Sequence, residues 1–264
     1  MRFRRSPSVD RRIHAKIRVP PPDYRLMFKL KDSVTTLSLL VSVASIVLAF
    51  DGRIALASFL VFVAWGFDAL DGLVARLTNT RNQFGAQFDD LADHVAYTLA
   101  PGFLAFAALR PYQFWAAAAA GFATILLGTV RLARANTLAL RYPGYWIGIP
   151  RPASGFVIVL LLNARLLAGE QWVWLQAAAV ILVAAGGLTR WPYKNHKGRL
   201  RSLERAFPIV GVASSLASYP AGWMWDVGLF WCAAYLLAPW VAVSPAERRA
   251  IALALEHGTA GGAP

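Results

Sequence analysis

Cysteine is nearly missing from this chain: there is one, Cys232, in 264 residues. It lies in an apolar segment and reads as a small core residue, so an intrachain disulfide and a disulfide-stapled secreted scaffold are excluded. Acid is also scarce, with 14 Asp and Glu against 27 Lys and Arg. Charged residues of both signs make up only 16% of the chain, and 57% is hydrophobic; a soluble domain carries about 25% charge. An ordinary soluble enzyme and a disordered chain are therefore both excluded. Apolar runs recur at 34–50, 53–75, 85–109, 112–130, 153–169, 171–189, 207–219 and 222–243. Most approach the roughly 20 residues that a bilayer helix needs. The composition predicts an all-α, polytopic transmembrane helical bundle of six to eight spans. No cleaved signal peptide is expected, because the first 33 residues hold no apolar core.

The net charge of +13 raises nucleic acid as a partner, but placement favours the membrane surface. Ten Lys and Arg fall in 1–32, two in 76–84, four in 131–151, six in 190–205 and two at Arg248 and Arg249. If the spans alternate in direction, 24 of the 27 basic residues share one side, leaving Arg53, Arg110 and Arg165. By the positive-inside rule that side is cytoplasmic, with both termini inside. The basic excess is thus expected to serve topology and anionic membrane lipid, with no nucleic acid. The run 207–219 is short and ends at Pro220; a re-entrant segment there would reverse the C-terminal side.

Three regions follow from this patterning. Residues 1–32 are a basic cytoplasmic or interfacial segment, broken by Pro20-Pro21-Pro22. Residues 33–243 are expected to form the transmembrane domain that would carry any active site, and 244–264 a tail.

The acid that does occur is concentrated. Five of the 14 carboxylates fall between 68 and 93: Asp68, Asp71, Asp89, Asp90 and Asp93. Asp68 and Asp71 are spaced i,i+3 near the end of the second span; Asp89 and Asp93 are spaced i,i+4 at the start of the third. Each pair projects from one helix face, and the short connection between the spans folds the two faces together. Ionisable groups at such depth need a partner. Arg76 cannot offset four carboxylates, whereas divalent cations can, and an all-oxygen donor set suits Mg2+ or Mn2+. Chemistry alone also leaves open a cation- or proton-coupled transporter with an acidic translocation site.

The spacing is more specific. Asp68-x2-Asp71-Gly72-x2-Ala75-Arg76-x8-Gly85-x3-Asp89-x3-Asp93 resembles the signature of the CDP-alcohol phosphotransferase family at all eight specified positions. The resemblance implies that Asp68, Asp71 and Asp89 bind two metal ions, and that Asp93 deprotonates the acceptor hydroxyl while helping to hold one of them. Gly72 and Ala75 leave room for a nucleotide or its phosphates against the helix. Arg76 can neutralise diphosphate oxygens, and Gly85 opens the third span to cytidine or ribose.

Later segments are similar to the bacterial and archaeal branch whose acceptor is L-serine and whose donor is CDP-diacylglycerol. They are Arg131-Leu132-Ala133-Arg134-Ala135-Asn136, Gly148-Ile149-Pro150-Arg151-Pro152 and Pro192-Tyr193-Lys194-Asn195-His196-Lys197. Departures occur at Asp90, where that branch has Ser, and at Tyr97-Thr98, Asn136 and Asn195. They leave other acceptors open, such as glycerol 3-phosphate or an inositol phosphate, or an archaetidyl-type donor. Arg131 and Arg134 could take the serine carboxylate bidentately, Asn136 or Asp90 could face the ammonium, and Pro150 and Arg151 could line the acceptor site. His94 points about 100° away from Asp93 on a regular helix and is expected to pack against another helix. The resemblance further implies a homodimer and an integral protein of the bacterial inner membrane, its site facing the cytoplasm.

Overall fold

The computed structural model describes residues 29–78, 83–137, 142–194 and 202–256. The expected interfacial stretch up to Phe28, and Arg81, Asn195, His196 and Lys197, lie outside the described residues. The helices are α1 (Leu30–Phe50), α2 (Ile54–Thr78), α3 (Gln83–His94), a π-helical turn (Val95–Leu99), α4 (Ala100–Leu109), α5 (Phe114–Thr137), α6 (Arg151–Asn163), α7 (Val173–Gly186), α8 (Ser202–Ala217), α9 (Met224–Leu236), α10 (Ala238–Val241) and α11 (Pro245–Glu256). Two three-residue strands, β1 (Tyr145–Ile147) and β2 (Pro192–Lys194), pair antiparallel.

Helix α1 is patterned inside out. Its buried stripe is Thr35, Ser38, Ser42, Ser45 and Ala49, whereas Leu37, Leu40, Val43, Val47 and Phe50 are exposed. In water this arrangement would be unstable; in a bilayer the apolar face meets lipid and small residues let helices approach. The hydroxyls are used: Ser38 donates to the Ala64 carbonyl at 2.9 Å and Ser45 to the Ala57 carbonyl at 2.7 Å, both on α2. Such interhelical bonds are worth about 0.6 kcal/mol each in a bilayer. The tight Asp51-Gly52-Arg53 connection, with Gly52 at φ +78°, sets the two helices antiparallel.

Helices α1, α2 and α5 are long and apolar enough to cross a bilayer, and α6, α7, α8 and α9 are shorter apolar helices. The chain is therefore an all-α integral membrane protein. Several runs that read as uniform spans are interrupted. The helix in 153–169 ends at Asn163, α8 carries Pro208 within it, and the last run breaks at Leu236 before Pro239. Conversely, α3, the π turn and α4 run on without leaving helical geometry, since the flanking His94 and Ala100 are both right-handed helical. Helices α4 and α5 touch almost backbone to backbone: a β-carbon on Gly121 would sit 2.9 Å from the Gly102 carbonyl oxygen. The largest apolar core, including Ala105, Ala117, Val157, Ile158 and Val180, is built from α4 through α7.

Candidate active site

The two halves of the motif face each other as the helical spacing requires. Carboxylate oxygens of Asp68 and Asp71 on α2 and of Asp89 on α3 lie within 4.8 Å of one another. Unscreened by a cation, two ionised carboxylates at that distance repel by about 3 kcal/mol at an effective dielectric of about 20. An all-carboxylate trio of this size fits a hard divalent cation. Two hydroxyls orient it. Thr35 on α1 donates to Asp71 at 2.6 Å, and Tyr97 donates to Asp68 at 3.1 Å.

Tyr97 lies within the π turn. There the Ala100 N–H bonds back to the Val95 carbonyl, five residues earlier. Pro101 has no N–H to give the Tyr97 carbonyl, so a regular turn loses a bond here anyway. Gly155 on α6 fits against the bulge: a β-carbon would be 3.3 Å from both Cα and O of Tyr97. Turns of this kind recur at functional sites.

The fourth carboxylate is paired with an arginine. Asp93 Oδ2 is 3.0 Å from an Arg151 guanidinium nitrogen, and the same nitrogen is 2.8 Å from Asp90 Oδ1. Arg151 also donates to the Asp90 carbonyl at 3.3 Å. It is aimed by the loop before α6. Strand β1 pairs with β2, Gly148 at φ +79° donates to the Trp191 carbonyl at 2.8 Å, and Pro150 starts the helix with Arg151 as its first residue. Gly148 is required, since a β-carbon would lie 2.5 Å from the Gly187 carbonyl oxygen. Arg151 lines a crevice of about 10 Å³, room for about one water, together with Tyr97, Thr98, Thr124, Arg131 and Ser154 among others. Arg131 Nε is buried there with no hydrogen-bond partner among the described residues, which suits it to an anion.

Other residues singled out from the sequence are placed as follows. Gly72 borders open space, with nothing within 4 Å of where a β-carbon would be, and Ala75 is buried. Arg76 is exposed and makes no ion pair among the described residues. Asn136 is exposed near the end of α5. His94 contacts Thr129 of α5 through Nε2 at 3.3 Å, a helix-to-helix contact.

Two expectations are corrected. Arg134 does not join Arg131 at the crevice: it donates to the carbonyls of Gly187 (3.0 Å) and Leu188, capping the end of α7. A guanidinium fork matches those free carbonyls as well as it would a carboxylate. Gly85 does not open onto nucleotide. Its missing side chain is filled by α1, since a β-carbon would lie 2.3 Å from Lys31 Nζ and 2.6 Å from Asp32 Oδ1. Sequence reasoning missed Lys31 and Asp32, both buried and 3.1 Å apart, as well as Thr35. The only local signal was a Lys-Asp pair at the start of an apolar run, with Asp32 accepting the Lys29 N–H at 2.7 Å as an N-terminal cap.

Comparison with known proteins agrees with this arrangement. The family model described as CDP-alcohol phosphatidyltransferase matches residues 28–190. The CDP-diacylglycerol–serine O-phosphatidyltransferase of Helicobacter pylori is 38% identical over 128 residues, covering 48% of this chain and 54% of that protein. The enzyme of that name from Methanocaldococcus jannaschii is 32% identical over 147 residues, covering 54% and 66%. The one from Mycobacterium tuberculosis is 28% identical over 173 residues, covering 59% of each chain. The match thus spans between about half and two thirds of these relatives.

Proposed function

The chain belongs to the CDP-alcohol phosphatidyltransferase family, and from that premise we propose that it moves the phosphatidyl group of CDP-diacylglycerol onto the hydroxyl of L-serine, releasing CMP. The observation that carries this reading is the division of labour among the carboxylates. Three converge within 4.8 Å while the fourth, Asp93, sits beside the guanidinium that borders the crevice.

Asp68, Asp71 and Asp89 would hold two divalent cations, Mg2+ or Mn2+. When bound, these supply positive charge to the diphosphate and the transferred phosphoryl group. Thr35 and Tyr97 keep Asp71 and Asp68 in place. The open face beside Gly72 admits the diphosphate, and Arg76, exposed and unspent in any ion pair among the described residues, is available to its oxygens. Arg131 and Arg151 receive the acceptor carboxylate. As that carboxylate competes for Arg151, Asp93 is freed to take the hydroxyl proton. The acceptor oxygen then forms its bond to the phosphorus bearing diacylglycerol, the bond from that phosphorus to the CMP oxygen breaks, and CMP leaves. With six to eight spans alternating in direction, 24 of the 27 basic residues share one side, which supports a site facing the cytoplasm of a bacterial inner membrane. Family resemblance supports a homodimer.

A phosphorylated acceptor is the second reading, since Arg131 and Arg151 both line the crevice; the two carboxylates on Arg151 weigh against it. The test is CMP release by purified protein in lipid nanodiscs with CDP-diacylglycerol and Mg2+ or Mn2+, giving L-serine, glycerol 3-phosphate or inositol phosphate separately. Serine-dependent release that falls by about 10²–10⁴-fold in Asp93→Asn, as removal of a general base does, is the expected result. Release only with a phosphorylated acceptor would overturn the serine assignment, and no release with any acceptor or donor would overturn the transferase reading.

A further inference from the structure

Asp90 lies between two motif carboxylates in sequence yet is not part of the trio. Its side chain holds Arg151 Nη2 at 2.8 Å while its own carbonyl accepts Arg151 Nη1 at 3.3 Å, across 61 residues of chain. Two neighbouring nitrogens of one guanidinium are therefore fixed by a single residue, which sets the plane of the fork. Asp93 takes a second contact on Nη2 at 3.0 Å. Arg131, the other cation on the crevice, has its Nε buried and unpartnered.

Of the two cations on the crevice, Arg151 is contacted by both Asp90 and Asp93, which do not themselves line it, whereas Arg131 has no ion pair among the described residues. A guanidinium flanked by two carboxylates complements a small zwitterion, whose carboxylate can meet the guanidinium and whose ammonium can meet the flanking acids. Those acids offset its charge and so disfavour a phosphate dianion, which needs a net cationic wall. Without Asp90, Arg151 would keep one carboxylate partner, Asp93, in place of two.

Building on the transferase reading above, we propose that Asp90 is a specificity-determining, positioning residue: it fixes the Arg151 fork and supplies the negative charge that makes the acceptor site select an amino acid over an anionic alcohol. It acts through Arg151 and takes no proton in the reaction.

The experiment measures KM and kcat for L-serine, for 3-hydroxypropionate (serine without its ammonium) and for glycerol 3-phosphate. Wild type, Asp90→Asn, Asp90→Glu, Arg151→Gln and the double variant Asp90→Asn/Arg151→Gln would be compared in nanodiscs, with thermal unfolding as a check on folding. In Asp90→Asn the KM for L-serine should rise by about tenfold, the size of one lost charge-assisted contact. The KM for CDP-diacylglycerol should stay within about twofold, and the preference for L-serine over both anionic acceptors should shrink by about tenfold. Asp90→Glu should restore most of that preference, and the double variant should lose no more of it than Arg151→Gln alone. An unchanged serine KM in a folded Asp90→Asn overturns the inference, as does an Asp90→Glu variant that behaves like Asp90→Asn. Wild-type protein that releases CMP only with other acceptors overturns the serine reading and this inference together; a wild-type serine response with unaltered variants overturns this inference alone.

Discussion

Replacing Thr35 by Val removes one hydroxyl while keeping the β-branched shape that packs α1 on α2. The hydroxyl lies 2.6 Å from Asp71 Oδ2, and Asp71 is itself buried. A hydrogen bond to a charged group is worth about 1.5–3 kcal/mol, or roughly 10- to 150-fold in an equilibrium constant. Losses of an outer partner to a metal ligand fall in the same range, about 10–100-fold in metal affinity. The weaker 3.2 Å contact of the hydroxyl with the Lys31 carbonyl adds little, because that carbonyl already faces the helix. The readout is Mn2+ binding to the purified protein, followed by electron paramagnetic resonance of the free ion, alongside the Mn2+ concentration for half-maximal CMP release. Both should weaken by about tenfold or more, and Thr35→Ser, which keeps the hydroxyl, should recover most of the loss. A folded Thr35→Val with Mn2+ affinity within twofold of wild type would refute the claim that α1 orients the trio.

Other perturbations test the remaining joints. Gly85→Ala places a methyl where Lys31 and Asp32 now lie; overpacking of this kind costs about 1–3 kcal/mol, so the unfolding temperature in detergent should drop. Arg134→Gln removes the cap from α7 and should lower thermal stability while leaving the serine KM within about twofold; a large rise in KM would return Arg134 to the acceptor site. Tyr97→Phe removes the 3.1 Å bond to Asp68 and should weaken Mn2+ binding less than Thr35→Val, by a few-fold, since Asp68 is only partly buried. Chelation with EDTA should abolish CMP release, and added Mg2+ or Mn2+ should restore it; full activity after exhaustive chelation would rule out a metal role for Asp68, Asp71 and Asp89.

The bilayer class and the approach of Asp89 to Asp68 and Asp71 were legible in the chain, whereas Asp93, expected with them, lies against Arg151. Each legible feature depends only on hydropathy over about 20 residues or on the 3.6-residue helical repeat, and these are local properties. Partners distant in sequence were not legible. Thr35 meets Asp71 across 36 residues, Tyr97 meets Asp68 across 29, and Arg151 meets Asp90 across 61. Arg131, Arg134 and Arg151 look alike as basic residues at helix ends, and charge placement alone cannot rank them. Their roles are decided by a three-residue ribbon that aims Arg151 at Asp90 and Asp93, and by the exposed carbonyls after α7 that claim Arg134. Gly85 read as room for a ligand and proved to be room for α1. A missing side chain says that something comes close, and only the packing of the other helices determines what does.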